Sequence, residues 1–199
     1  MKKSLAVWVM LASSWLGLTT AAQAAPETYV FDKSHTRIFF DVNHLGFSQY
    51  RGMFHEYDGT FVFDAKNLAK SKVDVTIQMT SADMYHDKMN EHLKADDILD
   101  VAKYPTAHFV STAVEKTDKG AKVTGNLTLH GVTKSVILDV TFNEAKPHPM
   151  NKQFTRGFTA LTVLDRGEFG IGYAVPMVSK EVNLYISVEA QRTPATGKK

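Results

Sequence analysis

The fold is decided by residues 123–142, VTGNLTLHGVTKSVILDVTF, in which apolar and polar residues alternate on both sides of Gly131. Alternation with a period of two predicts strands that present one apolar and one polar face. Glycine at the apex supplies the backbone freedom that a tight turn requires. The stretch therefore predicts a β-hairpin whose apolar face carries Val123, Gly125, Leu127, Leu129, Val136, Leu138, Val140 and Phe142.

The same alternation extends over much of the chain in both directions. It is clearest over residues 73–79, and further strands are predicted over residues 27–32, 35–44, 60–64, 106–115, 154–163 and 180–189. Residues 45–50 lose the pattern and predict a bend. Leu161 and Val163 alternate with Phe158 and Ala160, which predicts that this strand is buried on both faces near its end. About eight strands without a linker or an internal repeat predict one antiparallel β-barrel domain.

One segment changes from the strand period to the helical period. Tyr85, Met89 and Leu93 recur at every fourth position. This spacing places the three side chains on one face of a helix. The sequence therefore predicts one helical excursion over residues 83–94.

Residues 1–24 have the features of a cleavable export signal. They begin Met1-Lys2-Lys3, continue through a mostly apolar run over residues 5–18 and end in Ala22-Gln23-Ala24. The run is shorter than the roughly 20 residues that a membrane-spanning helix needs, and Ala-x-Ala is typical of signal peptidase sites. We therefore predict export to the periplasm and a single mature domain that begins at Ala25 and covers residues 25–199.

Composition narrows the class of partners. The sequence contains no cysteine, so the domain has no disulfide framework. The sequence has 23 basic and 21 acidic residues. Removal of the signal peptide, which contains Lys2 and Lys3, leaves equal numbers of basic and acidic residues. A nucleic-acid-binding domain would show a clustered basic face, whereas the one basic run here is the terminal Lys198-Lys199. We expect neither a nucleic-acid partner nor stable insertion into a membrane.

The eight histidines raise the question of a metal site. His86 and His92 lie near Met84 and Met89. An offset of six residues, however, points the two imidazoles to different sides of a helix, whereas two ligands on a helix chelate a metal at an offset of three or four residues. No Gly-x-Ser-x-Gly or His-Glu-x-x-His motif is present. The sequence predicts neither a metal site nor a catalytic residue.

The sequence is rich in large apolar residues, with 12 Phe, 8 Met and 7 Tyr. One interpretation is a densely filled barrel core. The other is a barrel that holds one ligand, because small barrels of about eight strands have room for one and Met and Phe suit an adaptable lining. The residue pattern by itself leaves both interpretations open.

Short motifs extend through nearly all of the chain after the signal peptide. The longest are Leu129-His130-Gly131-Val132-Thr133-Lys134 and Arg166-Gly167-Glu168-Phe169-Gly170-Ile171. The others are Asp32-x-x-His35-Thr36, His44-Leu45-Gly46, Gly52-x-Phe54, Gly59-Thr60-Phe61, His92-Leu93-Lys94, Lys103-Tyr104-Pro105 and Phe109-x-Ser111-Thr112. Each is weak alone, but in this order they resemble the YceI-like family of bacterial polyisoprenoid-binding proteins.

The resemblance implies an extended, lipocalin-like antiparallel barrel that binds a long isoprenoid or an isoprenoid quinone in its lumen. It implies no catalytic residue, and we expect no cofactor, only a bound isoprenoid or other lipid ligand. Strand parity then predicts the ligand-binding residues Phe40, Val42, Phe61, Phe63, Val75, Ile77, Phe109, Leu127, Leu129, Leu138, Val140, Phe158 and Ile186. Met84, Tyr85 and Met89 are expected at the mouth of the lumen.

Other functions remain as alternatives to an isoprenoid carrier. They are a carrier of fatty acids or fatty amides, an exported enzyme and an outer-membrane barrel. The helix disfavours the membrane barrel, as do the charges of Arg37, Asp41 and Asp139 on faces that would meet lipid. The sequence leaves open whether two copies form a homodimer.

Overall fold

The computed structural model describes residues 26–194. The predicted signal peptide, Ala25 and residues 195–199 lie outside the described residues. The strands are β1 (Glu27–Phe31), β2 (Arg37–His44), β3 (Ser48–Phe54), β4 (Tyr57–Phe63), β5 (Lys72–Gln78), β6 (Ala82–Asp83), β7 (Thr106–Lys116), β8 (Gly120–Leu129), β9 (Val132–Pro147), β10 (Phe154–Asp165) and β11 (Val178–Arg192). The α-helix is α1 (Asp87–Lys94), and short 3-10 helices span Leu68–Lys70, Met79–Ser81 and Arg166–Phe169.

Eight of these strands close into an antiparallel barrel. Each pairs with the next in the order β1, β4, β5, β7, β8, β9, β10 and β11, and β11 pairs again with β1. Strands β2, β3 and β6 extend the same sheet from β11, which pairs with β1 through residues 190–192 and with β2 through residues 178–187. The predicted fold, an antiparallel barrel with one helical excursion, is confirmed.

Strands β8 and β9 form the predicted hairpin, with Val123 opposite Leu138. His130 and Gly131 make the turn with φ values of 50° and 75°, a region that glycine adopts readily. Tyr104 packs closely against this turn. Its ring is so near to Gly131 that a Cβ added to this glycine would lie 2.7 Å from it. The turn is therefore held by a side-chain contact as well as by its own backbone geometry.

Strand β3 is one that the residue pattern does not predict. It pairs with β2, with Tyr50 opposite Val42. Gly52 lies at an inward position of β3, where an added Cβ would lie 2.5 Å from Cζ of Phe40. Glycine thus occupies an inward position where an apolar residue is expected, and this makes room for the ring of Phe40. The alternation of apolar and polar residues is therefore not visible in the sequence of β3.

The prediction that β10 is buried on both faces near its end is wrong. Leu161 is 49% exposed and Val163 is 59% exposed. Both side chains lie on the outer face of the barrel, where Leu161 is opposite Tyr185 of β11. Phe158 and Ala160, at the alternating positions, face the interior.

The helix α1 begins later than the residue pattern predicts. Asp83 belongs to β6 and pairs with Met53 of β3, and Tyr85 has a φ of 58°, which lies outside the α-helical region. His86 is the residue that precedes the first turn, which starts at Asp87. No helix within residues 26–194 has the length and apolar composition that a membrane crossing requires.

Candidate ligand-binding cavity

Two adjoining apolar cavities occupy the interior. The larger, of about 570 Å³, is the mouth chamber, with walls that include Phe40, Val42, Phe54, Met79, Met84, Met89, Leu93, Leu129, Arg166 and Met177. The smaller, of about 180 Å³, is the aromatic chamber, with walls that include Phe31, Phe61, Phe63, Phe142 and Phe158. Ile77, Leu127, Leu164 and Leu184 belong to both walls. The volume of the mouth chamber alone lies within the range of about 300–1,000 Å³ typical of ligand sites.

The aromatic chamber is built by inward side chains of neighbouring strands. The ring of Phe158 meets those of Phe61 and Phe142 edge to face, with centroids 5.3 and 5.6 Å apart. Alternate residues of β4, β9 and β10 reach the lumen because successive side chains point to opposite faces of a sheet. Edge-to-face packing fixes the rings around the chamber.

A network of charged and aromatic groups closes the barrel beyond the aromatic chamber. The Arg156 guanidinium lies 4.1 Å from the ring centroid of Phe63, and its Nε donates a 2.8 Å hydrogen bond to Oη of Tyr29. The Tyr29 hydroxyl donates to Glu27, which also accepts from Arg192. This end of the interior is therefore closed, and Tyr29 is fully buried.

Three polar side chains in the wall of the aromatic chamber are hydrogen-bonded to the protein backbone. Oγ1 of Thr36 donates to the Glu189 carbonyl at 2.9 Å, and the Tyr57 hydroxyl donates to the Thr36 carbonyl at 3.0 Å. Oγ of Ser71 accepts from the Asp64 N–H at 3.0 Å. Because these groups already have partners, the chamber suits a purely apolar part of a ligand.

The mouth chamber opens between α1, the β2–β3 turn and the segment before β11. Met84 and Met89 line it with flexible thioether side chains. At its rim, Leu45 is 47% exposed and Met177 is 62% exposed, and the Leu45 N–H donates to the Met177 carbonyl. The rim is thus apolar and exposed, and the neighbouring Phe47 is 88% exposed.

Asp83 fixes α1 over the mouth chamber. Its carboxylate accepts hydrogen bonds from the Asn90 amide at 2.8 Å and the Tyr85 N–H at 2.7 Å, and its other oxygen lies 2.9 Å from Nε2 of His55. The hydrogen bond with His55, followed by those with Asn90 and Tyr85, lowers the pKa of Asp83 to about 2. The carboxylate therefore stays ionised at neutral pH and links β6, α1 and residue 55.

Arg166 is a buried cation in the wall of the mouth chamber, with 8% of its surface exposed. Its Nε donates to the carbonyl of Ser179 and its Nη1 to that of Ile171; its Nη2 donates to those of Tyr173 and Val178. Burial lowers the pKa of the guanidinium, and the charge of the preceding aspartate opposes this shift. An arginine nevertheless remains protonated in proteins, so the mouth chamber carries a positive charge.

The structure brings together all but one of the predicted ligand-binding residues. In the aromatic chamber these are Phe61, Phe63, Val75, Phe109, Leu138, Val140, Phe158 and Ile186. In the mouth chamber they are Phe40, Val42, Met84, Met89 and Leu129. Ile77 and Leu127 belong to both, and a role for these residues in binding a ligand stays a prediction.

The position predicted for Tyr85 at the mouth of the lumen is wrong. Its side chain is 64% exposed and lines a polar cleft on the outer surface together with His55, Asp83 and His86. The physical reason is that Tyr85 precedes the helix, so the helical spacing from Met89 does not apply to it.

Several wall residues are missing from the predicted site. Phe142 and Leu184 continue the inward alternation of β9 and β11, and Met79 continues that of β5, so parity extended by one or two positions would find them. Leu164 continues the inward alternation of β10 in the same way. Arg166 directly follows β10, and no local pattern indicates that its side chain lies in the wall of the mouth chamber.

The two histidines of the predicted helical segment do not lie together. His86 lines the outer cleft and His92 lines the mouth chamber. Elsewhere, Asp32, His35 and Glu189 place one potential metal ligand each within 4.8 Å of one another. Nδ1 of His35 lies 2.9 Å from a carboxylate oxygen of Asp32, and this hydrogen bond raises the pKa of His35. None of these three residues borders either chamber.

Comparison with other proteins extends these observations. An "UPF0312 protein" of Pseudomonas savastanoi pv. phaseolicola is 41% identical over 192 residues, which cover 95% of this chain and 97% of the relative. The crystal structure of the Campylobacter jejuni YCEI protein is 30% identical, with a TM-score of 0.69 over 76% of this chain and 90% of that one.

A more distant structure shares the fold alone. It is a polyisoprenoid binding domain from Saccharophagus degradans, which is 11% identical with a TM-score of 0.61 and covers 83% of this chain and 98% of that domain. The model of the YceI-like domain matches residues 29–190, nearly all of the described chain. The chain therefore belongs to the YceI-like family.

Proposed function

We propose that this protein is a periplasmic binding protein that carries a long isoprenoid lipid, either a polyisoprenoid or an isoprenoid quinone, within the barrel. The observation that supports the proposal most strongly is the pair of adjoining apolar chambers, which share four wall residues. We infer that they form one apolar path from an exposed rim at Leu45 and Met177 to a closed end at Phe63. A long apolar chain fits such a path with one end buried and one end near the surface.

The driving force for binding is burial of the chain. Each buried methylene contributes about 0.8 kcal/mol, and a repeated apolar chain has no other means of crossing an aqueous compartment in dissolved form. The fold shared with a polyisoprenoid binding domain supports an isoprenoid over other apolar chains. A binding protein is favoured over an enzyme because the path is lined mainly by aliphatic and aromatic side chains.

A length series tests this function. A fluorescent polyene fatty acid is bound to the protein and displaced by isoprenoid alcohols that differ only in the number of isoprene units. We expect the affinity to rise by at least about tenfold with each added unit, because a unit has five carbons and each buried methylene adds about 0.8 kcal/mol, and to level off once both chambers are filled. Affinity that does not depend on length, or no displacement by any isoprenoid, would contradict the proposal.

Export is part of the proposal and rests on the sequence of residues 1–24. The protein released from the native host by osmotic shock is expected to have the mass of residues 25–199, because Ala22 and Ala24 meet the small-residue requirement of signal peptidase. Intact-protein mass spectrometry measures this directly. A released protein that retains Met1 would show that cleavage does not occur.

A further inference from the structure

The basic side chains that line the two chambers all belong to the mouth chamber. The wall of the mouth chamber includes His44, Tyr50, His92, Arg166 and Tyr173. Among the described residues, no Asp, Glu, Lys, Arg or His lines the aromatic chamber. The chamber lining is therefore apolar toward the closed end, where Arg156 lies behind the ring of Phe63, and carries a buried positive charge at the open end, a polarity that matches an amphiphile in one orientation.

The charge of Arg166 has no carboxylate partner within residues 26–194. The neighbouring Asp165 carboxylate instead pairs with Nζ of Lys180 at 3.0 Å and accepts the Gly167 N–H at 2.9 Å. A guanidinium has five N–H donors, and four of those of Arg166 are used on backbone carbonyls. One N–H on Nη1 thus remains for a further acceptor.

A ligand oxygen at this point would complete the hydrogen bonding of a buried cation. Buried charges are costly unless they are paired and hydrogen-bonded, and charge-assisted hydrogen bonds are about twice as strong as neutral ones. A head group with acceptor oxygens accepts this hydrogen bond from Arg166. An ammonium head group is repelled by the like charge, and a hydrocarbon end leaves the N–H without a partner. The wall thus distinguishes head groups by charge and by acceptor capacity.

We propose that Arg166 binds the head group of the carried lipid and that this head group presents an acceptor oxygen, as a carboxylate or a quinone carbonyl does. The chain then runs past Leu127, which both chambers share, into the aromatic chamber at Phe158. This inference rests on the proposed function and adds to it the class of head group and the orientation of the ligand.

Three probes with the same chain and different head groups test the inference on the wild-type protein. They are oleate, oleyl alcohol and oleylamine, each used to displace the fluorescent polyene. We expect oleate to bind most tightly and oleylamine least, with about a tenfold or greater difference between them, which one charge-assisted hydrogen bond is sufficient to produce.

Two variants assign the preference to Arg166. Arg166→Gln is expected to remove the preference for oleate while affinity for oleyl alcohol changes little. Arg51→Gln is the matched control, since Arg51 carries the same charge, lies exposed on β3 and is absent from both chamber walls; it should keep the preference. If Arg166→Gln does not fold, the test uses the wild-type protein instead. The NMR signals of its arginine side-chain nitrogens are then recorded with and without each probe. One Nη signal should then shift with oleate and stay unchanged with oleylamine.

The outcomes separate the inference from the function on which it rests. Equal affinity of the wild-type protein for the three probes would overturn the role of Arg166 and leave the carrier function standing. A preference for oleate that persists in Arg166→Gln, or an NMR signal that does not respond to oleate, would also overturn it. Failure of these probes and of every isoprenoid alcohol to bind would overturn both.

Discussion

Leu127→Lys is expected to abolish lipid binding and to lower the free energy of unfolding by about 3–5 kcal/mol, the cost of leaving a buried charge unpaired. Leu127 is 7% exposed and belongs to the wall of both chambers. A lysine there either carries a charge into an apolar environment or loses its proton because burial lowers its pKa. Both results interrupt the apolar path where the two chambers share a wall. Urea unfolding and displacement of the fluorescent probe measure the two effects.

The adjacent residue supplies the control. Asn126 is exposed on the outer face of β8, so Asn126→Lys should change the free energy of unfolding by no more than about 0.5 kcal/mol and leave lipid binding intact. The two residues are neighbours in sequence and differ only in the face that they occupy. If both variants behave alike, the assignment of Leu127 to the lumen is wrong.

Ala160→Leu is expected to shorten the lipid that the protein accepts. Ala160 is 6% exposed, faces the aromatic chamber and lies opposite Val140 and Ile186 of the neighbouring strands. A leucine at this position fills part of the 180 Å³ chamber. Long isoprenoid alcohols should therefore lose affinity by at least about tenfold, equivalent to about 1.4 kcal/mol, while short ones that occupy the mouth chamber keep theirs.

The stability of the ligand-free variant distinguishes an open chamber from a solid core. In an open chamber the leucine gains contacts and the free energy of unfolding stays the same or rises, whereas overpacking of a filled core costs about 1–3 kcal/mol. Ala113→Leu is the matched control, because Ala113 is exposed on β7. A full overpacking cost without any change in length preference would show that residue 160 lies in a core filled by side chains.

The residue pattern is sufficient to predict most of the barrel. Alternation places Val123 and Leu138 on one face, and they lie opposite one another in the structure. The same parity places Phe61 and Phe158 in the lumen, where their rings meet. Periodicity predicts these features because it reports which face of a strand is buried, and burial decides the register.

Other features depend on contacts between distant residues. The alternation of β3 is hidden because Gly52 makes room for Phe40. Tyr85 follows the helical spacing but is kept out of the helix because Asp83 pairs with Met53 and binds the Tyr85 N–H. In both cases a tertiary contact decides a conformation that local sequence patterns assign differently.

The position of Arg166 in the wall of the mouth chamber could not be predicted from the residue pattern. Its motif resembles that of the family, but its hydrogen-bond acceptors are carbonyls of residues 171–179, which reach it because the chain folds back through the loop into the start of β11. A sequence shows the arginine and the loop glycines without showing where the carbonyls point. The polarity of the interior therefore becomes visible only once the walls of the two chambers are known.

The most direct measurement of the central claim is the identity of the lipid that the native protein contains. The protein is purified from its native host without detergent, extracted with organic solvent and analysed by mass spectrometry. We expect about one isoprenoid lipid per chain, because the two chambers form a single path for one ligand. Repeated preparations that yield neither an isoprenoid nor an acyl compound would contradict the carrier function, and fatty acids or fatty amides alone would contradict the isoprenoid as its ligand.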